Sequence, residues 1–174
     1  LFLTNNKFNM FLQEGNKYKL IHGNPNAILP SLESGVYTVD LVPEGFSKVM
    51  YFNKTERYKN TKMLGVGVLK TVESYVNHFL VPAMYEARKS LHGLHKLGLL
   101  FTGDPGTGKT FLAGQIAQKL VDTQNAIALI TNEFWKYDLT KLVDAIRENT
   151  PDKLLVVIMD EFEKCNTHQL QDAD

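Results

Sequence analysis

The stretch Gly98–Thr110 reads GLLFTGDPGTGKT, and its last eight residues, Gly103–Thr110, fit the pattern G-x-x-x-x-G-K-[ST]. Glycines at 103, 106 and 108 can take positive φ angles and let the backbone approach a polyphosphate closely, because glycine has no Cβ. The loop amides and the positive end of a following helix would face that anion. Lys109 could then reach the β- and γ-phosphates, and the Thr110 hydroxyl could bind Mg²⁺. The stretch therefore predicts a phosphate-binding loop; the alternative is a glycine-rich turn that opens an ordinary helix.

The residues on both sides of this loop agree with that prediction. The apolar run Leu99–Phe101 predicts a buried strand that enters the loop. After the loop, apolar residues recur at helical spacing: Leu112, Ala113, Ile116, Ala117 and Leu120. Strand, glycine loop and helix form the setting that the phosphate-binding pattern requires.

A second part of the site is predicted further along the chain, where the apolar run Leu154–Met159 ends directly in Asp160 and Glu161. Open α/β sheets bind their ligands at the carboxyl ends of the strands. Asp160 is therefore expected to hold Mg²⁺ beside Thr110, and Glu161 to orient or deprotonate an attacking water. The alternative is a strand that ends in two solvated acids.

The order of elements predicts the fold class. Asn125–Ile130 is a second buried-strand candidate, and apolar residues at 139, 142, 143 and 146 form one stripe of a helix. Strands and helices thus alternate, and the strands are apolar almost throughout. This pattern is typical of an α/β protein whose parallel sheet is covered on both faces.

The first sixty residues are rich in strand and loop signals. Lys17–His22 predicts one short strand, and Gly35–Val42 with Phe46–Asn53 predicts a hairpin around a turn at residues 42–45. We therefore expect a small β-rich N-terminal domain and connector over residues 1–62, followed by a core over residues 63–174.

The region before the loop contains a predicted helix, roughly Lys70–His92, which Pro82 should kink or break. The preceding stretch Met63–Leu69 contains two glycines and predicts a flexible joint. Lys54–Lys62 is a basic run, which is most often a solvated connector and otherwise a surface for phosphate or a partner.

Composition excludes several classes. Lys plus Arg equals Asp plus Glu, 19 each, so no basic excess indicates nucleic acid, although a local patch is not excluded. One cysteine, Cys165, rules out an internal disulfide framework and favours a reducing, cytoplasmic compartment. No apolar run is long enough to span a membrane.

The loop GDPGTGKT and the strand end LLVVIMDE resemble the Walker A and Walker B elements of AAA+ ATPases, and the resemblance covers about residues 63–163. It implies a P-loop NTPase fold of the ASCE type, Mg·ATP as the ligand, and a ring, normally a hexamer. Lys109 and Glu161 would be catalytic, and Thr110 and Asp160 would hold the metal. The implied nucleotide contacts are Gly103, Asp104, Pro105, Gly106, Thr107, Gly108, Lys109, Thr110 and Phe111 at the phosphates, with Gly65, Val66 and Gly67 near adenine.

The sequence departs from this family at two points. Asp104 stands where the family usually has a neutral residue, and a carboxylate near the phosphates should lower affinity unless it points into water. The chain also stops before the family's sensor 1, arginine finger and helical lid, so we expect an incomplete core that binds nucleotide better than it hydrolyses it.

Three classes of function stay open. Trp135 or Tyr137 lies near the place of the pore-loop aromatic with which AAA+ translocases grip a protein substrate, although the usual following glycine is missing and core packing is the alternative. The first class is accordingly a remodeller or translocase of proteins or assemblies. The second is a DNA-associated helicase or clamp-loader-type ATPase. The third is a nucleotide-binding structural module with little turnover.

Overall fold

The computed structural model describes residues 8–23, 31–44, 47–62, 66–90, 96–131 and 139–160. Within these ranges the chain forms six strands and four helices. The strands are β1 (Phe8–Glu14), β2 (Lys17–Gly23), β3 (Gly35–Glu44), β4 (Ser47–Lys54), β5 (Ile127–Thr131) and β6 (Leu155–Met159). The helices are α1 (Val66–Leu80), α2 (Pro82–Ser90), α3 (Lys109–Gln124) and α4 (Leu139–Asn149).

The six strands form one mixed sheet in the order β1-β2-β4-β3-β5-β6. The first four strands pair antiparallel, whereas β3 pairs parallel with β5, and β5 pairs parallel with β6. The α/β class is therefore confirmed, with parallel pairing on the side of the sheet that carries the acidic strand end. The strand predicted before the two acids is β6, and the strand predicted after the loop helix is β5.

Two tight hairpins build the antiparallel part. The predicted hairpin is present as β3 and β4, which pair from Tyr37 opposite Lys54 to Glu44 opposite Ser47. The predicted strand at residue 17 is β2, but its partner β1 was not predicted. Gly15, with a φ of 63°, and Asn16 form the two-residue turn that joins them.

One face of the sheet packs into an aromatic core. Phe11 and Phe52 meet edge to face at 5.3 Å between ring centroids, and Tyr18 meets Tyr37 in the same way at 5.9 Å. Such pairs contribute about 0.5–1.5 kcal/mol each beyond the area they bury. Leu142 and Ile146, one turn apart on α4, belong to the same buried cluster. The predicted stripe of α4 is therefore its core face.

The phenol of Tyr37 lies inside this core. Its hydroxyl donates a hydrogen bond to the Glu33 carbonyl oxygen at 3.0 Å. Burial, followed by the nearby Tyr18 and Glu33, raises the pKa of Tyr37 well above its usual value. The Tyr37 hydroxyl therefore keeps its proton and donates a hydrogen bond to the Glu33 carbonyl oxygen. This bond gives the buried hydroxyl the hydrogen-bond partner that it needs.

The chain divides into two compact units. One contains the residues up to Lys59 together with those from Ala117 onward, and the other is Asn60–Ile116. The first unit contains the sheet and α4, and the second contains α1, α2 and the glycine loop. The division at residue 62 into an N-terminal domain and a core stays a prediction.

The helical region before the loop differs in part from its prediction. The expected break at Pro82 is confirmed, because α1 ends at Leu80 and α2 begins at Pro82. Proline suits the first position of a helix, where its missing N–H has no acceptor to serve. However, α1 begins at Val66 rather than near Lys70, so residues 66–69 are helical and not a flexible joint. The buried stripe Leu69, Val72 and Val76 explains this earlier start, because it continues back through the first turn.

The strand predicted at Leu99–Phe101 is absent. The lead-in segment, Lys96–Thr102, has no regular secondary structure, and Leu100 is 80% exposed. Apolar composition does not by itself make a strand, because an extended backbone needs a neighbour for its N–H and C=O groups. The six-stranded sheet of the described residues does not include this segment.

In the part of the chain that the structure describes, no helix combines the length and apolar character needed to cross a membrane.

Candidate nucleotide-binding site

The phosphate loop, Gly103–Thr110, has the backbone that its glycines predict. Gly103, Gly106 and Gly108 have φ angles of 146°, 79° and 86°. An ideal Cβ built on Gly106 or Gly108 would meet no atom within 4 Å. Glycine is therefore required at these two positions by backbone conformation and not by crowding.

Helix α3 starts inside this loop. The Leu112 N–H donates to the Gly108 carbonyl oxygen at 2.9 Å, which makes Gly108 the residue that caps the helix. The amides of residues 109–111 thus precede the first intrahelical bond, at the positive end of the helix dipole. No acidic residue occupies the first turn of α3. The positive potential of this helix end is therefore not reduced by a carboxylate of its own first turn.

The side chain of Lys109 folds over the loop. Its Nζ donates hydrogen bonds to the carbonyl oxygens of Gly103 at 2.7 Å and Asp104 at 2.8 Å. The Thr107 hydroxyl donates to the same Asp104 oxygen at 2.8 Å. These bonds hold the Lys109 ammonium group against the carbonyl oxygens at the start of the loop. This donor set suits a polyanion such as a triphosphate.

Asp104 takes part in the loop through its backbone, since its carbonyl oxygen accepts from both Lys109 and Thr107. The residue itself is exposed. A carboxylate in contact with water is screened and opposes a nearby phosphate only weakly. The unusual residue at this position is therefore compatible with an anion in the loop.

The acidic strand end lies in the other compact unit. Asp160 directly follows β6, and its N–H donates to the Thr131 carbonyl oxygen at 2.9 Å. Asp160 thus continues the β5–β6 ladder at the carboxyl edge of the sheet, and it is half-buried. Its placement at a strand end agrees with the sequence, whereas its approach to Thr110 in the first turn of α3 stays a prediction.

Some of the other predicted site residues lie in the described part of the chain, and some lie outside it. Val66 and Gly67 form the first turn of α1. Gly65, Glu161, Trp135 and Tyr137 lie outside the described residues, as does Cys165. Pro105 lies between Gly103 and Gly106 in the loop, and Phe111 directly follows Thr110.

Sequence reasoning missed Gln115, which is only 3% exposed on α3. Its side-chain nitrogen donates to the Thr61 hydroxyl at 3.1 Å and to the Lys62 carbonyl oxygen at 2.9 Å. A glutamine among the apolar residues of a helix has no motif of its own. The only sequence signal is a polar residue where the helical stripe of Leu112 and Ile116 predicts burial.

The glycine loop, the helix that it caps and the lysine that closes it are features of the P-loop class of nucleotide-binding sites. The strand that normally enters such a loop is absent from the described residues. Comparison with known proteins gives a match to this part of the chain. Residues 99–174 match the model of the AAA family, "ATPase family associated with various cellular activities". This match, which begins in the lead-in segment and continues beyond Asp160, agrees with the resemblance to AAA+ ATPases that rests on the two motifs.

A curated relative is similar to part of the chain. The chain is 32% identical over 87 residues to the "Replication-associated recombination protein A" of Haemophilus influenzae. The alignment covers 49% of this chain and 19% of that protein, so the chain corresponds to about a fifth of the relative's length. No solved structure gives a significant match.

Proposed function

We propose that the chain binds Mg·ATP in the phosphate loop and that the protein containing it hydrolyses ATP. The observation that carries this proposal is the loop itself. Three glycines with positive φ, the N-terminus of α3 with no acid in its first turn, and the Lys109 ammonium lie together in residues 103–110. The helix end and the ammonium attract a polyphosphate, and the glycines let the backbone approach it.

Each residue has an assigned role in this proposal. Lys109 and the loop amides bind the β- and γ-phosphates and stabilise the charge that develops between them during in-line attack by water. Thr110 and Asp160 are the residues that would hold a Mg²⁺ ion, which would neutralise phosphate charge. Glu161 orients the attacking water and accepts its proton. Val66 and Gly67, with Gly65, contribute the backbone next to the base.

One substitution tests the assignment of binding and chemistry to different residues. Glu161→Gln keeps the size of the side chain but removes the base, so ATP affinity should be unchanged and turnover should fall about 10²–10⁴-fold. The measurement pairs equilibrium binding of a fluorescent ATP analogue with a phosphate-release assay on the longest form of the protein. Unchanged hydrolysis by the variant would contradict the role of Glu161 and leave the binding site intact.

The turnover is proposed to drive the remodelling of a macromolecular assembly by a ring of subunits, as in other AAA+ ATPases. If Trp135 or Tyr137 grips a protein substrate, then Trp135→Ala or Tyr137→Ala in the full-length protein should abolish translocation while ATP hydrolysis persists. Loss of both activities together would instead favour a structural role for these aromatic side chains.

A DNA-associated ATPase is the second candidate, and the name of the curated relative favours it. The charge pattern argues for weak electrostatic binding by this chain. The formal net charge is zero, and two cations of the predicted basic run have acidic partners, Lys54 with Glu33 at 3.3 Å and Lys59 with Glu56. Both bridges are largely exposed and thus only partly reduce the positive charge of the run.

Salt dependence distinguishes this candidate from the first. A DNA-associated function predicts that duplex or single-stranded DNA stimulates ATP hydrolysis and that DNA affinity falls steeply between about 50 and 200 mM salt. Hydrolysis that is indifferent to DNA at low salt would contradict the second candidate and favour a protein substrate.

A further inference from the structure

Gln115 is a buried side chain that the proposed chemistry does not use. It lies on α3 and is 3% exposed, so its amide is removed from water. The two hydrogen bonds from Nε2, to Thr61 Oγ1 and to the Lys62 carbonyl oxygen, use both of its N–H donors. A buried amide of this kind is stable only because its partners are fixed, since each unsatisfied polar atom costs about 1–3 kcal/mol.

The helix that carries Gln115 is continuous with the phosphate loop. Gln115 is six residues beyond Lys109, which corresponds to about 9 Å along the helix axis. It is also four residues beyond Phe111, so the two side chains share one face of the first turns of α3. Gln115 is therefore rigidly linked to the amides that are proposed to bind phosphate.

The residues that Gln115 holds lead directly into α1. Lys62 precedes Val66, the first residue of α1, by only four positions. Just before them, Asn60 has a φ of 54°, which is an uncommon conformation for a residue with a side chain. All of these residues belong to the compact unit Asn60–Ile116. The amide of Gln115 thus joins the loop helix to the entry of α1 within one unit.

A second buried glutamine on the same helix shows that hydrogen bonds from α3 to residues 60–62 are not made by every buried glutamine of the helix. Gln118 is 5% exposed, but its Nε2 donates to the Asp122 carboxylate at 2.9 Å, one turn further along its own helix. Gln118 therefore stabilises α3 locally and provides a control with the same residue type, helix and burial.

We propose that Gln115 is a positioning residue that transmits occupancy of the phosphate loop to residues 60–62 and the first turn of α1. The inference rests on the proposed nucleotide binding. A ligand that binds the N-terminus of α3 suppresses local opening of that helix, by about 100-fold at a concentration of 100 Kd. Because Thr61 and Lys62 are bonded to the same helix, their opening is suppressed with it. Without the two hydrogen bonds of Gln115, the ligand should protect only the phosphate loop from local opening.

Hydrogen–deuterium exchange tests this coupling with two ligands, Mg·ATP and inorganic tripolyphosphate. In the wild-type chain, both ligands should slow exchange in residues 103–112 and also in residues 60–70. In Gln115→Met, which keeps the volume and removes both donors, protection of residues 103–112 should remain. Protection of residues 60–70 by ligand should fall roughly five- to thirtyfold, the factor expected from losing one or two hydrogen bonds.

Matched variants separate this role from a merely structural one. Gln118→Met removes a buried amide from the same helix and should leave ligand protection of residues 60–70 at the wild-type level. Thr61→Val removes one acceptor and retains the Lys62 bond, so it should give a smaller loss than Gln115→Met. Retained protection of residues 103–112 shows that each variant is folded and binds ligand.

The possible failures are distinguishable. Wild-type protection of residues 60–70 in Gln115→Met would overturn the role of Gln115 and leave nucleotide binding intact. Equal losses in Gln115→Met and Gln118→Met would also overturn it, because the effect would then belong to the helix as a whole. Absence of any ligand protection in residues 103–112 of the wild-type chain would overturn the proposed function, and this inference with it.

Discussion

The phosphate loop and the lead-in segment are adjacent in the chain, yet their sequences predict structure with different success. The loop has the backbone expected from its glycines and a helix cap at Gly108. Its lysine, Lys109, donates hydrogen bonds to carbonyl oxygens of the loop. The lead-in segment has the composition of a buried strand but is irregular, with Leu100 80% exposed. The loop depends on bonds within eight residues, whereas a strand depends on a partner elsewhere. Local motifs therefore predict structure more securely than apolar composition does.

The largest expected effect concerns the lysine of the loop. Lys109→Ala removes the ammonium that binds phosphate, and charged hydrogen bonds of this kind are worth about 1.5–3 kcal/mol. We expect ATP affinity to fall roughly 10- to 150-fold, measured by isothermal titration calorimetry. Lys96→Ala, in the lead-in segment, removes an equally charged but exposed side chain and serves as the control. Equal losses in the two variants would contradict the special role of the loop.

The next effect concerns backbone conformation. Gly108→Ala places a Cβ on a residue with a φ of 86°, which should cost about 1–2 kcal/mol of folding free energy without any steric clash. Gly98→Ala, in the lead-in segment, also meets no atom within 4 Å, and Gly98 has no positive φ. That variant should be neutral or slightly stabilising. Urea denaturation of the two variants compares them directly, and equal stabilities would refute the conformational argument.

A smaller effect is expected at Asp104. Asp104→Asn keeps the backbone carbonyl that Lys109 and Thr107 use, and it removes only an exposed negative charge. Exposed charge pairs are worth about 0.2–1 kcal/mol, so ATP affinity should rise by up to about fivefold at low salt. The gain should shrink as salt is added, because the interaction is screened. A gain that is independent of salt would point to a change in the shape of the loop.

The smallest effect is expected in the lead-in segment itself. Leu100→Ala should change the free energy of unfolding by less than about 0.5 kcal/mol, because the side chain is 80% exposed. Leu129→Ala in β5, where the leucine is fully buried, should cost about 2–5 kcal/mol. If Leu100→Ala proved as costly as Leu129→Ala, the segment would be buried in solution and the original strand prediction would be restored.

Much of the fold follows from residue patterns. The β3–β4 hairpin, β2, β5, β6 and the break at Pro82 all match their predictions within a few residues. The strand β1 was missed, although Gly15-Asn16 between two strands is a recognised two-residue hairpin turn. The parallel pairing of β3 with β5 could not be predicted, because it joins Gly35 to Ile127 and no local pattern encodes so distant a partner.

The candidate site shows the same division between local and distant information. The phosphate loop and its lysine follow from one short motif, and Asp160 at the end of β6 follows from another. The hydrogen bonds of Gln115 could not be predicted from the sequence, because its partners, Thr61 and Lys62, are more than fifty residues away in the chain. The meeting of Lys109 and Asp160 at a single metal and nucleotide remains the prediction on which the catalytic proposal depends.

The β3–β5 pair also has a consequence for how the protein is made. Ser34 and Ala126, which are bonded across this junction, lie 92 residues apart. At a synthesis rate of about 5–20 residues per second, β3 leaves the ribosome roughly 5 to 20 s before β5 does. The β3–β4 hairpin can form at once, but until β5 arrives one edge of β3 presents unpaired backbone groups. We therefore expect aggregation and dependence on chaperones to be greatest for the nascent chain before β5 is synthesised.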